Sequence, residues 1–140
     1  MKRVGIIGGM GPLASADLYL KIIDATAAKS DQENIPLVID SYPQIEDRTA
    51  FILGKGENPL PRLIESATRL KNANCAAFAM GCNTAHFFAD DIVAAVDLPI
   101  IHIAEVTVKS ILQNHKEARK IAVLATIGTK KARIYDEPLK

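Results

Sequence analysis

The sequence predicts an α/β fold in three layers, with a parallel sheet covered by helices on both faces. Short apolar runs recur along the 140 residues, and they are continuous rather than alternating, as strands buried on both faces require. Longer stretches with helical spacing separate them, the pattern of parallel strands joined by crossover helices. Turn-forming residues follow most runs, which places loops at the carboxyl ends of the strands.

The elements follow in order. Val4-Gly5-Ile6-Ile7 is the first strand, then a Gly/Pro turn and a helix over residues 13–29. Leu37, Val38 and Ile39 centre a second strand over 35–40. A short helical segment over 47–53 is broken by Gly54-Lys55-Gly56. Asn58-Pro59-Leu60-Pro61 opens a stronger helix through residue 70, with Leu63, Ile64, Ala67 and Leu70 spaced for one buried face. A third strand spans 75–80, and 87–96 is helix-compatible with Asn83 and Thr84 as N-cap types ahead of it. Leu98-Pro99-Ile100-Ile101-His102 is a fourth strand, followed by a helix over 104–114. Ile121-Ala122-Val123-Leu124-Ala125 reads as a fifth strand, and Gly128 begins a further helix. Little chain follows to complete that unit. The expectation is one domain over 1–115 and the start of a second, truncated α/β domain over 116–140.

Composition narrows the function classes. The chain is 49% hydrophobic and 24% charged, an ordinary globular balance without a disorder signature. A formal net charge of +1, with no basic block interleaved with aromatics, argues against nucleic acid as a partner. No apolar run approaches the ~20 residues that span a bilayer. Lys2-Arg3 with Ala14-Ser15-Ala16 imitates a signal peptide, but the glycines and Pro12 between them suit a turn rather than an apolar helix. Cys75 and Cys82 on one strand would stand about 23 Å apart, too far for a disulfide. Reduced thiols and a cytoplasmic location are the natural expectation.

The candidate chemistry gathers in loops after the strands, where parallel sheets bind ligands. Met80-Gly81-Cys82-Asn83-Thr84-Ala85-His86 places a lone thiol where a strand gives way to a helix. Unpaired N–H groups there lower a thiol's pKa and favour anions. The competing reading is a buried structural cysteine, since free cysteines are among the most buried residue types. Gly9-x-Gly11-x-x-Ala14 matches a dinucleotide fingerprint, with Asp40 as its ribose acid, although Asp40 lies later than the ~20 residues expected. The same turn also suits a tight strand-to-helix connection, or a small carboxylate held by backbone N–H groups. Arg48 is a candidate carboxylate partner, and a surface ion pair with Asp47 or Glu46 is its bland alternative. His86 and His102 read as local hydrogen-bonding groups, and with Cys82 they lack the spacing of a zinc site.

Taken together, Gly5-Ile6-Ile7-Gly8-Gly9-Met10-Gly11-Pro12, Asp47-Arg48-Thr49 and Cys82-Asn83-Thr84-Ala85-His86 resemble the aspartate/glutamate racemase family. Residues 98–104 and Leu124-Ala125-Thr126-Ile127-Gly128-Thr129 fit it as well, so the likeness runs the length of the chain. The resemblance implies a flavodoxin-like parallel sheet that forms one half of a two-domain racemase fold. It implies an isomerase that interconverts L and D forms of an amino acid, aspartate or glutamate, with no cofactor and no metal. A small-molecule amino acid is then the partner, and a homodimer the expected assembly.

By the same resemblance Cys82 is the first-domain acid/base. Asn83 and Thr84 hold the α-carboxylate, Met10 lines the substrate pocket, Arg48 pairs with the side-chain carboxylate, and Thr129 touches substrate near the domain hinge. Family members carry a second cysteine in a Gly-Cys-Thr-type block, which these residues lack, and Cys75 lies at the wrong end of its strand to replace it. The expectation is therefore an N-terminal half whose two-cysteine proton transfer has only its first cysteine here. A dinucleotide-binding Rossmann-type module and a non-catalytic dicarboxylate-binding domain are the alternatives.

Overall fold

The structure, a computed structural model, describes residues 2–140. Its centre is a four-stranded parallel sheet in the order β2-β1-β3-β4. These strands are β1 (Arg3–Gly8), β2 (Leu37–Ser41), β3 (Cys75–Met80) and β4 (Ile100–Ile101). β1 is the central strand. Ile7 lies opposite Asp40 of β2 on one side and Met80 of β3 on the other, so the carboxyl ends of these strands are level. β4 pairs with β3 through Phe78 with Ile100 and Ala79 with Ile101, which brings His102 to the same edge.

The helices are α1 (Pro12–Thr26), α2 (Arg48–Ile52), α3 (Leu60–Asn72), α4 (Ala89–Val96), α5 (Ile103–Asn114) and α6 (Ile127–Lys131). Pro12 begins α1, where its missing N–H costs nothing and its fixed φ suits a helix start. α3 carries the strongest stripe. Leu63, Ala67 and Leu70 are fully buried and meet Ile7, Phe78 and Ile92 in one core cluster. Successive strand residues face opposite sides of a sheet, so Ile6, also fully buried, lies on the α1 side. The two faces are covered unequally. α1 buries only Ser15, while Leu13 and Leu20 remain exposed.

Three expectations require correction. Ile121–Ala125 does not form a fifth strand; it is an irregular segment without ladder pairing, and Leu124 is 97% exposed. β propensity cannot make a strand where no neighbouring strand offers hydrogen-bond partners. Asn83 and Thr84 do not cap an α-helix with their side chains. A 3-10 helix over Thr84–Phe88 precedes α4, and Asn83 is itself helical at φ −57°. The expected helix over 13–29 ends at Thr26, with Ala27 left-handed at its C-cap.

Leu70→Ala opens a cavity beneath the central strand and is expected to lower the unfolding free energy by about 2–5 kcal/mol. Leu20→Ala, on the exposed face of α1, is expected to change it by no more than about 0.5 kcal/mol. Urea melts of the two variants check the contrast.

Candidate active site

In this strand order the chain leaves β1 towards β2 and later returns to β3 on the other side of β1. Sheets of this kind bind ligands at that reversal, outside the carboxyl ends of the strands. The loops flanking the reversal are the Gly-rich turn after β1 and the Cys82 loop after β3.

The Gly-rich turn is closed from within. The Gly9 N–H donates to Ser15 Oγ at 3.0 Å, and that hydroxyl donates to the Gly11 carbonyl at 3.2 Å. Gly9 sits at φ +88°, and a Cβ there would stand 2.5 Å from the Tyr42 nitrogen, so only glycine fits between the turn and the β2 loop. The dinucleotide reading loses ground here. Its phosphate-binding N–H at Gly9 is already engaged, and Asp40, its ribose acid, forms an ion pair with Arg69 at 3.2 Å. Met10 is 9% exposed and belongs to the core cluster, so it packs beneath the turn rather than standing free beside it.

Cys82 is a free, half-buried thiol packed against the edge of the core cluster. Cys75, also free, lies at the amino end of β3, the opposite end of the sheet, where burial pushes its thiol pKa up. Beyond Cys82, Thr84 Oγ1 lies 2.9 Å from Thr129 Oγ1 and 3.3 Å from Thr126 Oγ1, and Thr126 Oγ1 accepts from the Thr129 N–H at 3.3 Å. A Cβ on Gly128 would collide with Thr49 Oγ1 and come within 3.0 Å of Thr84 Cγ2. α6 is thereby wedged between α2 and the 3-10 helix. The Tyr135 hydroxyl donates to Asn83 Oδ1.

Arg48 begins α2. Its Nη1 donates to the carbonyls of Ile45 at 3.2 Å and Glu46 at 2.8 Å, and its buried Nε has no partner. The surface ion pair expected as its alternative is not formed. Asp47 instead accepts the Ala50 N–H at 2.9 Å as the N-cap of α2, and Glu46 pairs with Arg62 at 2.8 Å. Among the described residues the Arg48 guanidinium has no carboxylate partner. Phe51 and Phe88, with ring centroids 5.6 Å apart, hold α2 against the 3-10 helix that follows Cys82.

Residues 7–140 match the family model for Asp/Glu/hydantoin racemases. The chain belongs to this family. It is 31% identical over 144 residues to the broad specificity amino-acid racemase RacX of Bacillus subtilis (strain 168), covering 98% of this chain and 60% of that protein. Its fold superposes on Picrophilus torridus aspartate racemase with a TM-score of 0.87 at 27% identity, covering 99% of this chain and 58% of that one. An aspartate racemase homologue from Pyrococcus horikoshii OT3 gives 0.78 at 27% identity, over 99% of this chain and 62% of that one. The chain thus spans about 60% of the length of the relatives it matches.

The candidate site draws its expected residues to one edge but not into one role. Cys82, Asn83 and Arg48 lie in or beside its loops, whereas Thr129 is 3% exposed and reaches the site through Thr84. Sequence reasoning missed Ser15, Tyr135 and the contact of Gly128 with Thr49. Only the Gly128-Thr129 pair signalled any of them: Tyr135 and Gly128 act on residues distant in the chain, and Ser15 acts on the turn just before it through a hydroxyl that no motif marked. No helix is long and apolar enough to cross a membrane, and no group of three or more His, Cys, Asp or Glu among the described residues is placed to hold a metal ion.

His86 is buried beside His102, their ring centroids 4.6 Å apart. Burial, opposed by its hydrogen bond to the Cys82 carbonyl, lowers the His86 pKa to about 4. Unfolded, the same ring takes its proton near 6.5. Between these values the unfolded chain binds more protons, so stability from this group is complete above about pH 6.5 and is lost as the pH falls towards 4. The full effect is about 3 kcal/mol. Urea melts between pH 7.5 and 4.5 are expected to show a steeper acid loss for the wild type than for His86→Gln, which does not titrate.

Proposed function

We propose that the chain supplies the first acid/base half of an amino-acid racemase acting on a small acidic substrate, aspartate or glutamate. The observation that carries this reading is a free, half-buried Cys82 at the strand reversal, together with an Arg48 guanidinium that has no carboxylate partner and begins the helix packed against the 3-10 helix after Cys82. A dicarboxylic amino acid needs one cation and a set of donors at such an edge. Arg48 is suited to the side-chain carboxylate through bidentate pairing. Asn83 and Thr84 donate to the α-carboxylate, with Thr129 steadying Thr84. Met10 floors the pocket.

In the proposed reaction the Cys82 thiolate takes the Cα proton. The C–H bond breaks, an S–H bond forms, and the electron pair passes into the α-carboxylate, where the surrounding donors offset the added charge. Inversion requires a proton delivered to the opposite face. Cys75 is ruled out for that step by its place at the other end of β3. The second thiol is assigned to a domain outside these residues, of which 116–140 are the start. The apolar, unpaired segment at 121–125 supports that assignment. A homodimer belongs to the same reading, supported by the exposed Leu13 and Leu20 of α1, and so does a cytoplasmic location, supported by the two free thiols.

Cys82 alone can exchange the Cα proton with solvent and return it to the same face. Incubated in D₂O with each enantiomer of aspartate and of glutamate in turn, the 140-residue chain is expected to incorporate deuterium at Cα of the one enantiomer that faces Cys82, without inversion. Cys82→Ser is expected to slow that exchange about a hundredfold or more, the usual scale for a lost acid/base. Proton NMR of the recovered amino acid reads the result, and wild-type protein that leaves Cα undeuterated refutes the reading. Arg48→Lys keeps the charge but loses the planar fork, and is expected to raise the substrate concentration needed for half-maximal exchange about tenfold.

A further inference from the structure

The histidine that closes the Cys82 motif makes two hydrogen bonds to two different loops. His86 Nδ1 lies 2.8 Å from the Cys82 carbonyl oxygen, and His86 Nε2 accepts the Ile103 N–H at 3.2 Å. A carbonyl can only accept and a backbone N–H can only donate, so these partners are compatible with a single ring state: neutral, with the hydrogen on Nδ1. Ile103 opens α5, so Nε2 also satisfies one of the unpaired N–H groups at that helix start. The lowered His86 pKa keeps the ring neutral at physiological pH. His102, edge-on at 4.6 Å with its buried Nδ1 unpartnered, is the titratable group facing it.

The consequence for Cys82 follows from peptide planarity. In a trans peptide the carbonyl and the next N–H point in opposite directions. A Cys82 carbonyl drawn inward to His86 turns the Asn83 N–H outward. We propose that His86 is a positioning residue for proton transfer: through its two ring nitrogens it fixes the Cys82–Asn83 peptide plane against the start of α5, and so sets the direction in which the thiol and the Asn83 N–H are presented. This inference rests on the reading of Cys82 as the acid/base.

The two nitrogens can be tested separately. His86→Asn retains a side-chain N–H near Nδ1 for the Cys82 carbonyl and abandons Ile103. His86→Gln places a carbonyl oxygen near Nε2 for Ile103 and abandons Cys82. Carboxamidomethylation by iodoacetamide, mapped by peptide mass spectrometry, reports on Cys82 with buried Cys75 as the internal reference. Deuterium exchange into the aspartate enantiomer that the wild type labels reports on the chemistry.

Both variants are expected to lose rate, His86→Asn about threefold because the ring's anchor on α5 is gone, and His86→Gln about tenfold because the Cys82 carbonyl itself is released, the scale of one hydrogen bond. Thermal melts are expected not to follow that order, because His86→Gln retains the bond to α5. If both variants lose rate only in proportion to stability, or both match wild type, the inference is overturned while the Cys82 reading stands. If Cys82 in the wild type reacts no faster than Cys75 and no exchange occurs, the Cys82 reading itself fails. Long-range proton–nitrogen NMR of the wild type needs no variant to fold. It is expected to show His86 with its hydrogen on Nδ1 from pH 5 to 8, and an Nε2–H ring overturns the inference.

Discussion

Everything at the candidate site depends on the pairing of β1 from both sides. A strand hydrogen-bonded to two parallel neighbours has no freedom to slip, because a one-residue shift would swap the fully buried Ile6 and Ile7 between the two faces and misfit both against the helices that cover them. With that register held, the residues after Gly8, Ser41 and Met80 emerge level with one another. Parallel direction sends them out at the same edge. The order β2-β1-β3-β4 then places the strand reversal between the glycine turn and the Cys82 loop.

A second level of organisation is polar and ties loops to loops. Ser15 closes the glycine turn on itself, Thr84 meets Thr126 and Thr129, Tyr135 reaches Asn83, and His86 bridges Cys82 to Ile103. Individually such bonds add about 1 kcal/mol, but a buried hydroxyl or ring nitrogen left without its partner costs more than the bond contributes. The cluster is therefore stable as a whole and sensitive to the loss of any member. The Arg48 guanidinium, by contrast, touches carbonyls and no carboxylate, and its Nε is without a partner. On the proposed reading, that guanidinium is the group that takes the carboxylate of the substrate.

Much of this was legible in the sequence, and the limits have physical causes. The continuous apolar runs of β1 and β3 and the stripe Leu63, Ala67 and Leu70 announced the sheet and its covering helix through local periodicity. The glycine turn and the Cys82 block were visible because turn chemistry is also local. Residues 121–125 carry the same apolar signal, yet they form no strand, since a strand exists only where another offers its backbone. Arg48 was ambiguous for a similar reason. Whether Asp47 or Glu46 neutralises it depends on what else competes for those carboxylates, and the competitors are the N-cap of α2 and Arg62.

By itself, the sequence determined the α/β class, the central strands, the principal helix stripe and a lone thiol at a strand's carboxyl end. These rest on patterns within a few residues of one another, where propensity and spacing suffice. Only the tertiary structure decided that Thr129 supports Thr84, that Tyr135 holds Asn83, that Arg48 is left without a carboxylate, and that His86 reaches from Cys82 to α5. Those outcomes are set by which distant groups come within hydrogen-bond reach, and no local pattern encodes that reach.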